Sequence, residues 1–177
     1  MRRVFSTTWL VLALATLLAW PSMVLAQGAF QLVTGDEFKK ALPKDFYLEG
    51  NAIPTQERNA ALMKTPAGAR ALVALIDTTG YSSQIQQKYE GMLITEGGLS
   101  LCGTMVRVGS YGFGLARPTP PSDADAKFFL YNQAGRKVAE CVAKKDNKLE
   151  QPVPLQVVVG EGAAARLYLT RYWLELK

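Results

Sequence analysis

The chain reads as an all-β protein: one mainly antiparallel β-barrel or β-sandwich of about eight to ten strands, with two short helices. Three observations point there. Short apolar or alternating runs recur along the sequence, turn-forming residues separate them, and only two segments carry helix signals.

The elements follow in chain order. Thr34-Gly35-Asp36-Glu37 has the form of a capping box ahead of Phe38 to Leu42, and Pro43 stops that helix. Asp45 to Ala52 alternates polar residues with Phe46, Leu48, Gly50 and Ala52, as a half-buried strand does. Ala71 to Ile76 is continuously apolar, which suits a strand covered on both faces. A second helix is expected over Ser83 to Glu90, capped by Ser82 or Ser83, with Ile85 and Tyr89 on one face and Gly91 ending it. As a hypothesis, this helix lies across one end of a barrel as a plug. Met92 to Thr95 and Leu99 to Val108 read as short strands, with Gly103 marking a bulge or kink.

In Gly109 to Leu115 the residues Tyr111, Phe113 and Leu115 fall on one face, and Ser110, Gly112 and Gly114 leave the other nearly bare. A bare face lets a sheet coil tightly or lets another group approach the backbone. The proline-rich Arg117 to Pro121 is a loop. Lys127 to Tyr131, the turn Asn132 to Gly135, and Lys137 to Val142 form a hairpin. Leu155 to Val159 and Arg166 to Leu176 form a second one around Gly160-Glu161-Gly162. In the last run the apolar phase changes by one between Leu169 and Tyr172, which predicts a bulge near Arg171.

Residues 1–26 have the layout of a secretory signal peptide. Arg2 and Arg3 precede an apolar run from Trp9 to Trp20, Pro21 interrupts it, and Val24-Leu25-Ala26 offers a small-residue cleavage site. An uncleaved anchor is disfavoured, because Trp9 to Ala26 is at the lower limit for a bilayer span and Pro21 breaks it. The expected organisation is therefore a signal peptide, 1–26, and one β-rich domain, 27–177, working in the periplasm or outside the cell with no stable membrane span. Removing 26 of 177 residues and two of 20 basic side chains leaves 151 residues with 18 basic and 15 acidic ones. That weak positive balance, without a dense basic run, argues against a nucleic-acid partner.

Cys102 and Cys141 are an even pair in an exported chain and predict one structural disulfide. The chain has no histidine, which excludes Ser-His-Asp and Cys-His catalysis and His-ligated zinc. Carboxylate chemistry stays open, with Glu49, Asp77, Glu90 and Glu96 at element ends as candidates. Val157 to Ala165 imitates a dinucleotide fingerprint, but only 12 residues follow Ala165 and they read as strand, so a hairpin turn is expected. Ser122-Asp123-Ala124-Asp125 lacks the further oxygen ligands and glycine of a calcium loop. Neither a cofactor nor a metal is expected.

Three stretches carry a resemblance: Tyr47 to Asn59 (YLEGNAIPTQERN), Gly80-Tyr81 to Lys88-Tyr89-Glu90-Gly91, and Gly109 to Gly114 (GSYGFG). With them the chain resembles a group of exported bacterial β-rich proteins without an assigned activity, so the resemblance implies location but no mechanism. A lipocalin's G-x-W near the start is missing, and Trp173 is the single tryptophan after residue 26. The expected function is a soluble binding protein of the envelope. It would take a small apolar molecule or lipid at a barrel mouth lined by Tyr111, Phe113 and Trp173. The alternative is a protein-interaction or inhibitor module with an envelope protein as partner, and a carboxylate hydrolase comes third. An apolar pocket inside a closed barrel would favour the carrier; a filled core with an exposed aromatic patch would favour the protein partner.

Overall fold

A computed structural model describes residues 28–160 and 163–177, so the signal-peptide expectation and the tip residues Glu161 and Gly162 lie outside the described residues. The described chain runs β1 (Gln31–Val33), α1 (Asp36–Ala41), β2 (Asp45–Leu48), β3 (Asn51–Lys64), β4 (Arg70–Ile76), α2 (Ser83–Lys88) and β5 (Gly91–Thr95). It continues through β6 (Leu99–Leu101), β7 (Thr104–Val106), β8 (Gly109–Ala116), β9 (Ala126–Asn132) and β10 (Lys137–Lys145). It ends with β11 (Leu155–Val159), β12 (Ala165–Leu169) and β13 (Tyr172–Leu176). Neighbours along the main sheet follow the order β1-β3-β4-β5-β8-β9-β10-β13-β12-β11, and every pairing is antiparallel. The last strand, β11, returns beside β3 and β1, so the sheet curls into a nearly closed barrel.

Strand alternation sorts the core into two clusters. Met63, Val73, Leu93, Phe113, Phe128, Leu167 and Leu174 come from all round the wall and fill the interior. Phe46, Leu48, Leu72, Ala74, Ile85, Tyr89 and Met92 form a second cluster on the outside of β3–β4–β5, beneath β2 and the helices. Strand β4 serves both, Ala71 and Val73 inward and Leu72, Ala74 and Ile76 outward, which is why its sequence is apolar throughout. Helix α2 therefore lies on the outer wall, packed on β8, and does not plug a barrel end. Ile85 draws it there, being the apolar side chain that this one-and-a-half-turn helix buries.

The structure has thirteen strands among the described residues, more than expected, and the surplus has a physical origin. Asp45–Ala52, Leu99–Val108 and Arg166–Leu176 are each a two-residue hairpin, with Leu48 opposite Asn51, Leu101 opposite Thr104, and Leu169 opposite Tyr172. Their first turn residues, Glu49, Cys102 and Thr170, are the three non-glycine residues with positive φ among those described, at 49°, 48° and 58°. Gly50 and Gly103 follow at 79° and 81°, the pair of positive values that a type I′ turn requires. The expected bulges at Gly103 and Arg171 are thus chain reversals. A real irregularity falls in β3, where five steps from Thr55 to Ala60 face two steps of β4.

Both helices begin close to where expected. Ser82 caps α2, its hydroxyl accepting from the Ile85 N–H at 3.4 Å, while the capping box at Thr34 does not form and α1 starts after Gly35 without a side-chain cap.

Strand β10 pairs with β13 only at Lys144–Trp173 and Lys145–Tyr172, after which the two strands part. The β6–β7 hairpin takes the vacated flank of β13, with Leu101 opposite Leu176 and Ser100 exchanging backbone bonds with Lys177. The disulfide between Cys102 and Cys141, with Cα atoms 6.1 Å apart, ties the tip of this hairpin back to β10. Cys102 is therefore a turn residue and not a strand residue as expected.

Candidate functional site

Parts of Tyr47–Asn59, Gly80–Gly91 and Gly109–Gly114 meet on the outer wall. The Glu49-Gly50 turn, the end of α2 and the glycine face of β8 converge there with the β9–β10 turn. The Glu49 carboxylate accepts from Lys88 Nζ at 2.5 Å and from the Tyr89 hydroxyl at 2.6 Å. Lys88 Nζ also donates to the Gly135 carbonyl at 2.7 Å and lies 5.1 and 4.9 Å from the Tyr89 and Tyr131 ring centres. The bare face of β8 is what admits this knot. A Cβ at Gly112 would stand 2.8 Å from the Tyr89 ring, and one at Gly114 would overlap the Lys88 carbonyl oxygen.

The electrostatics of the knot suit a clamp. The ammonium of Lys88 and the hydroxyl of Tyr89 hold the Glu49 carboxyl below the usual carboxylate range. Burial, with the Glu49 carboxylate beside it, pushes the Tyr89 phenol well above its ordinary value. General acid–base work favours groups poised near the working pH, and these two are driven away from neutrality in opposite directions.

The other candidate carboxylates are also engaged. Glu90 takes a bidentate pair from Arg117 at 2.6 and 2.9 Å, Glu96 is held by Arg70, and Asp77 accepts the Thr79 N–H at 3.0 Å. Arg70 lowers the Glu96 carboxyl, and the Thr79 hydrogen bonds lower that of Asp77. In the Ser122–Asp125 loop a lysine stands where a cation would: Lys145 Nζ reaches the Ser122 carbonyl at 2.7 Å and Asp123 at 3.0 Å.

The three expected ligand-binding residues do not share a surface. Phe113 is fully buried in the barrel interior, 5.4 Å from Phe128 between ring centres. Tyr111 is half-buried on the same face of β8, its hydroxyl donating to the Arg107 carbonyl at 3.0 Å. Trp173 points the other way. Tyr172, Leu174 and Leu176 take the inward positions of β13, so Trp173 stands on the outer face with Arg166 4.2 Å and Lys144 5.7 Å from its ring centre.

What the barrel does offer is a cup at one end. The β3–β4 turn contributes Thr65, Pro66 and Ala67, the β5–β6 turn Gly98, and the β11–β12 turn Ala163 and Ala164, with Gly28 before β1 and Lys177 after β13. The cup is open to solvent and its volume is about 600 Å³, within the range of small-ligand sites. It exists because the turns are made of glycine and alanine, which bring backbone close and leave no side chain to fill the space. A Cβ at Gly97 would stand 2.5 Å from that of Ala69, and one at Gly28 would stand 2.7 Å from the Pro66 carbonyl oxygen. Thr65 is 5% exposed, and its hydroxyl is the one buried side-chain polar atom without a hydrogen-bond partner among the described residues. Sequence reasoning missed this cup, although the Gly160–Ala165 string that imitates a nucleotide motif supplies part of its wall.

The fold and these sites define a barrel with a clamped outer helix and one apolar end cup. No protein-family model, no curated protein and no solved structure matches the chain. Among the described residues no helix is long and apolar enough to cross a membrane.

Proposed function

We propose that the chain is an exported binding protein, cut between Ala26 and Gln27, that holds a small apolar molecule in the cup at the barrel end. The observation that carries this reading is the cup itself: about 600 Å³, walled mainly by small apolar residues together with Lys177, with Thr65 among them and its unpartnered hydroxyl buried behind the wall. Phe113 and Phe128 pack together among the buried residues of the barrel interior, and the reading therefore places binding at the barrel end. Rotation of Thr65 about χ1 would turn its hydroxyl toward a bound molecule that carries one polar atom, relieving an unmet hydrogen bond. The cup also adjoins Gly28, so removal of residues 1–26 would leave its rim at the new N-terminus.

The test is a titration of residues 27–177 with N-phenyl-1-naphthylamine, a neutral apolar dye that fluoresces on leaving water. Saturable binding to the wild type, lost in Ala163→Phe, is expected. Absence of saturable binding, or identical binding in the variant, would remove the cup from the account.

A further inference from the structure

We propose a second binding surface beside the cup: the outer face of β10–β13–β12–β11 around Trp173 docks a short acidic, extended segment of a partner protein. Four observations carry it. Trp173 is a half-buried aromatic opposite Tyr168 on the outer face, and two cations stand beside its ring, Arg166 at 4.2 Å and Lys144 at 5.7 Å. Neither cation forms an ion pair among the described residues, although Lys64, Arg70, Lys88, Arg117, Lys137 and Lys145 all do. Glu175 faces Arg166 in register, yet its carboxylate pairs with Lys177 at 2.8 Å. Two shallow grooves share Glu175 as lining, one of about 280 Å³ beside Trp173, Lys144 and the exposed Val142, the other of about 350 Å³ beside Arg166 and the exposed Val158.

The strip crosses four strands in two rows: Lys144, Trp173, Tyr168 and Gln156, and beside them Glu175, Arg166 and Val158. At about 4.8 Å between strands it is roughly 14 Å long, the reach of about four extended residues. Its chemistry asks for a carboxylate flanked by apolar side chains at every second position, so that all three fall on one face of the extended segment. A carboxylate can take Arg166 bidentately while the guanidinium stays stacked on the indole, and apolar side chains settle on Val142 and Val158. Anionic membrane surfaces are recognised by larger clusters, about four to eight cations, and this face presents two that are free. A sugar ring would need the indole face that Arg166 covers.

Trp173 is the single tryptophan of residues 27–177, so its emission reports on this surface alone. The experiment follows that emission while the protein is titrated with the peptide Val-Ser-Glu-Ser-Val, which carries its valines and glutamate on one face when extended. The lysine peptide Val-Ser-Lys-Ser-Val and phosphatidylglycerol vesicles serve as comparators. A saturable shift with the acidic peptide is expected. It should weaken by about fivefold in Arg166→Gln and in Lys144→Gln, the worth of one exposed ion pair, and weaken as salt rises from roughly 50 to 200 mM. Lys148→Gln, off the strip, should change nothing. No shift with the acidic peptide, an equal shift with the lysine peptide, or a response to vesicles alone would overturn the proposal. Arg166 and Lys144 do not line the cup, so Arg166→Gln and Lys144→Gln leave it intact, and failure here and failure of the cup are separable.

Discussion

Replacing Glu49 by glutamine tests whether the knot on the outer wall is a clamp. Both donors, Lys88 Nζ and the Tyr89 hydroxyl, reach the same oxygen, Oε1, so glutamine keeps an acceptor in place and removes only its charge. The Tyr89 bond would become a neutral one and lose about 1 kcal/mol, while Lys88 keeps a charge-assisted bond but loses its ion pair, about 1 kcal/mol more, so about 2 kcal/mol together. The side chains of Lys88 and Glu49 are 20% and 24% exposed, and partial screening lowers this to about 1–2 kcal/mol. For a domain of this size that is a fall in Tm of about 4 °C at pH 7. The carboxyl of Glu49 is held low in the folded state, so its contribution is fully present above the unfolded value near 4.5 and disappears as pH falls through the folded value. Thermal unfolding followed by circular dichroism at pH 7 and again near pH 3 reads both effects. The gap between wild type and Glu49→Gln should shrink at the lower pH, while Glu140→Gln, which breaks a surface pair with Lys137, should leave Tm unchanged. Equal Tm values at pH 7, or a gap that does not respond to pH, would refute the reasoning.

Three further outcomes follow from the same geometry. Gly114→Ala places a methyl on the Lys88 carbonyl and should destabilise by about 1–3 kcal/mol, read by urea unfolding; an unchanged midpoint would mean α2 does not bear on β8 as described. Replacing Cys102 and Cys141 together by serine removes a crosslink spanning 39 positions and should cost about 3–4 kcal/mol in the chain-entropy model, seen as a lower Tm in oxidised protein only. Thr65→Val deletes the unpartnered buried hydroxyl and should be neutral or stabilising by up to about 1 kcal/mol, whereas a clear loss of stability would show that the hydroxyl has a partner.

Much of the barrel is legible in the sequence, and two of the misreadings share one cause. A change of apolar phase by one residue has two physical origins, a bulge within a strand or a two-residue turn between two strands. Leu99 and Leu101 against Val106, and Leu167 and Leu169 against Tyr172, show such a change, and in both the structure has the turn. Asn-Gly would have signalled it; Glu49-Gly50, Cys102-Gly103 and Thr170-Arg171 do not, because their first residues enter the left-handed region without glycine's freedom. The both-sided burial of Ala71–Ile76 and the bare face of Gly112 and Gly114 are readable because each is a property of one strand. What lies on that bare face, the end of α2, depends on strand order. The same limit explains Trp173: alternation assigns its face within β13, but only pairing reveals that this face is opposite to that of Phe113 on β8. The cup is illegible for a related reason, since three turns far apart in sequence meet only through the barrel's closure.

The most direct test of the central claim is native mass spectrometry of residues 27–177, purified without detergent from an oxidising periplasm. The account predicts a protein mass lowered by two hydrogens for the disulfide, plus an adduct of a few hundred daltons that Ala163→Phe abolishes. A bare mass in the wild type, or an adduct that persists in the variant, would contradict it.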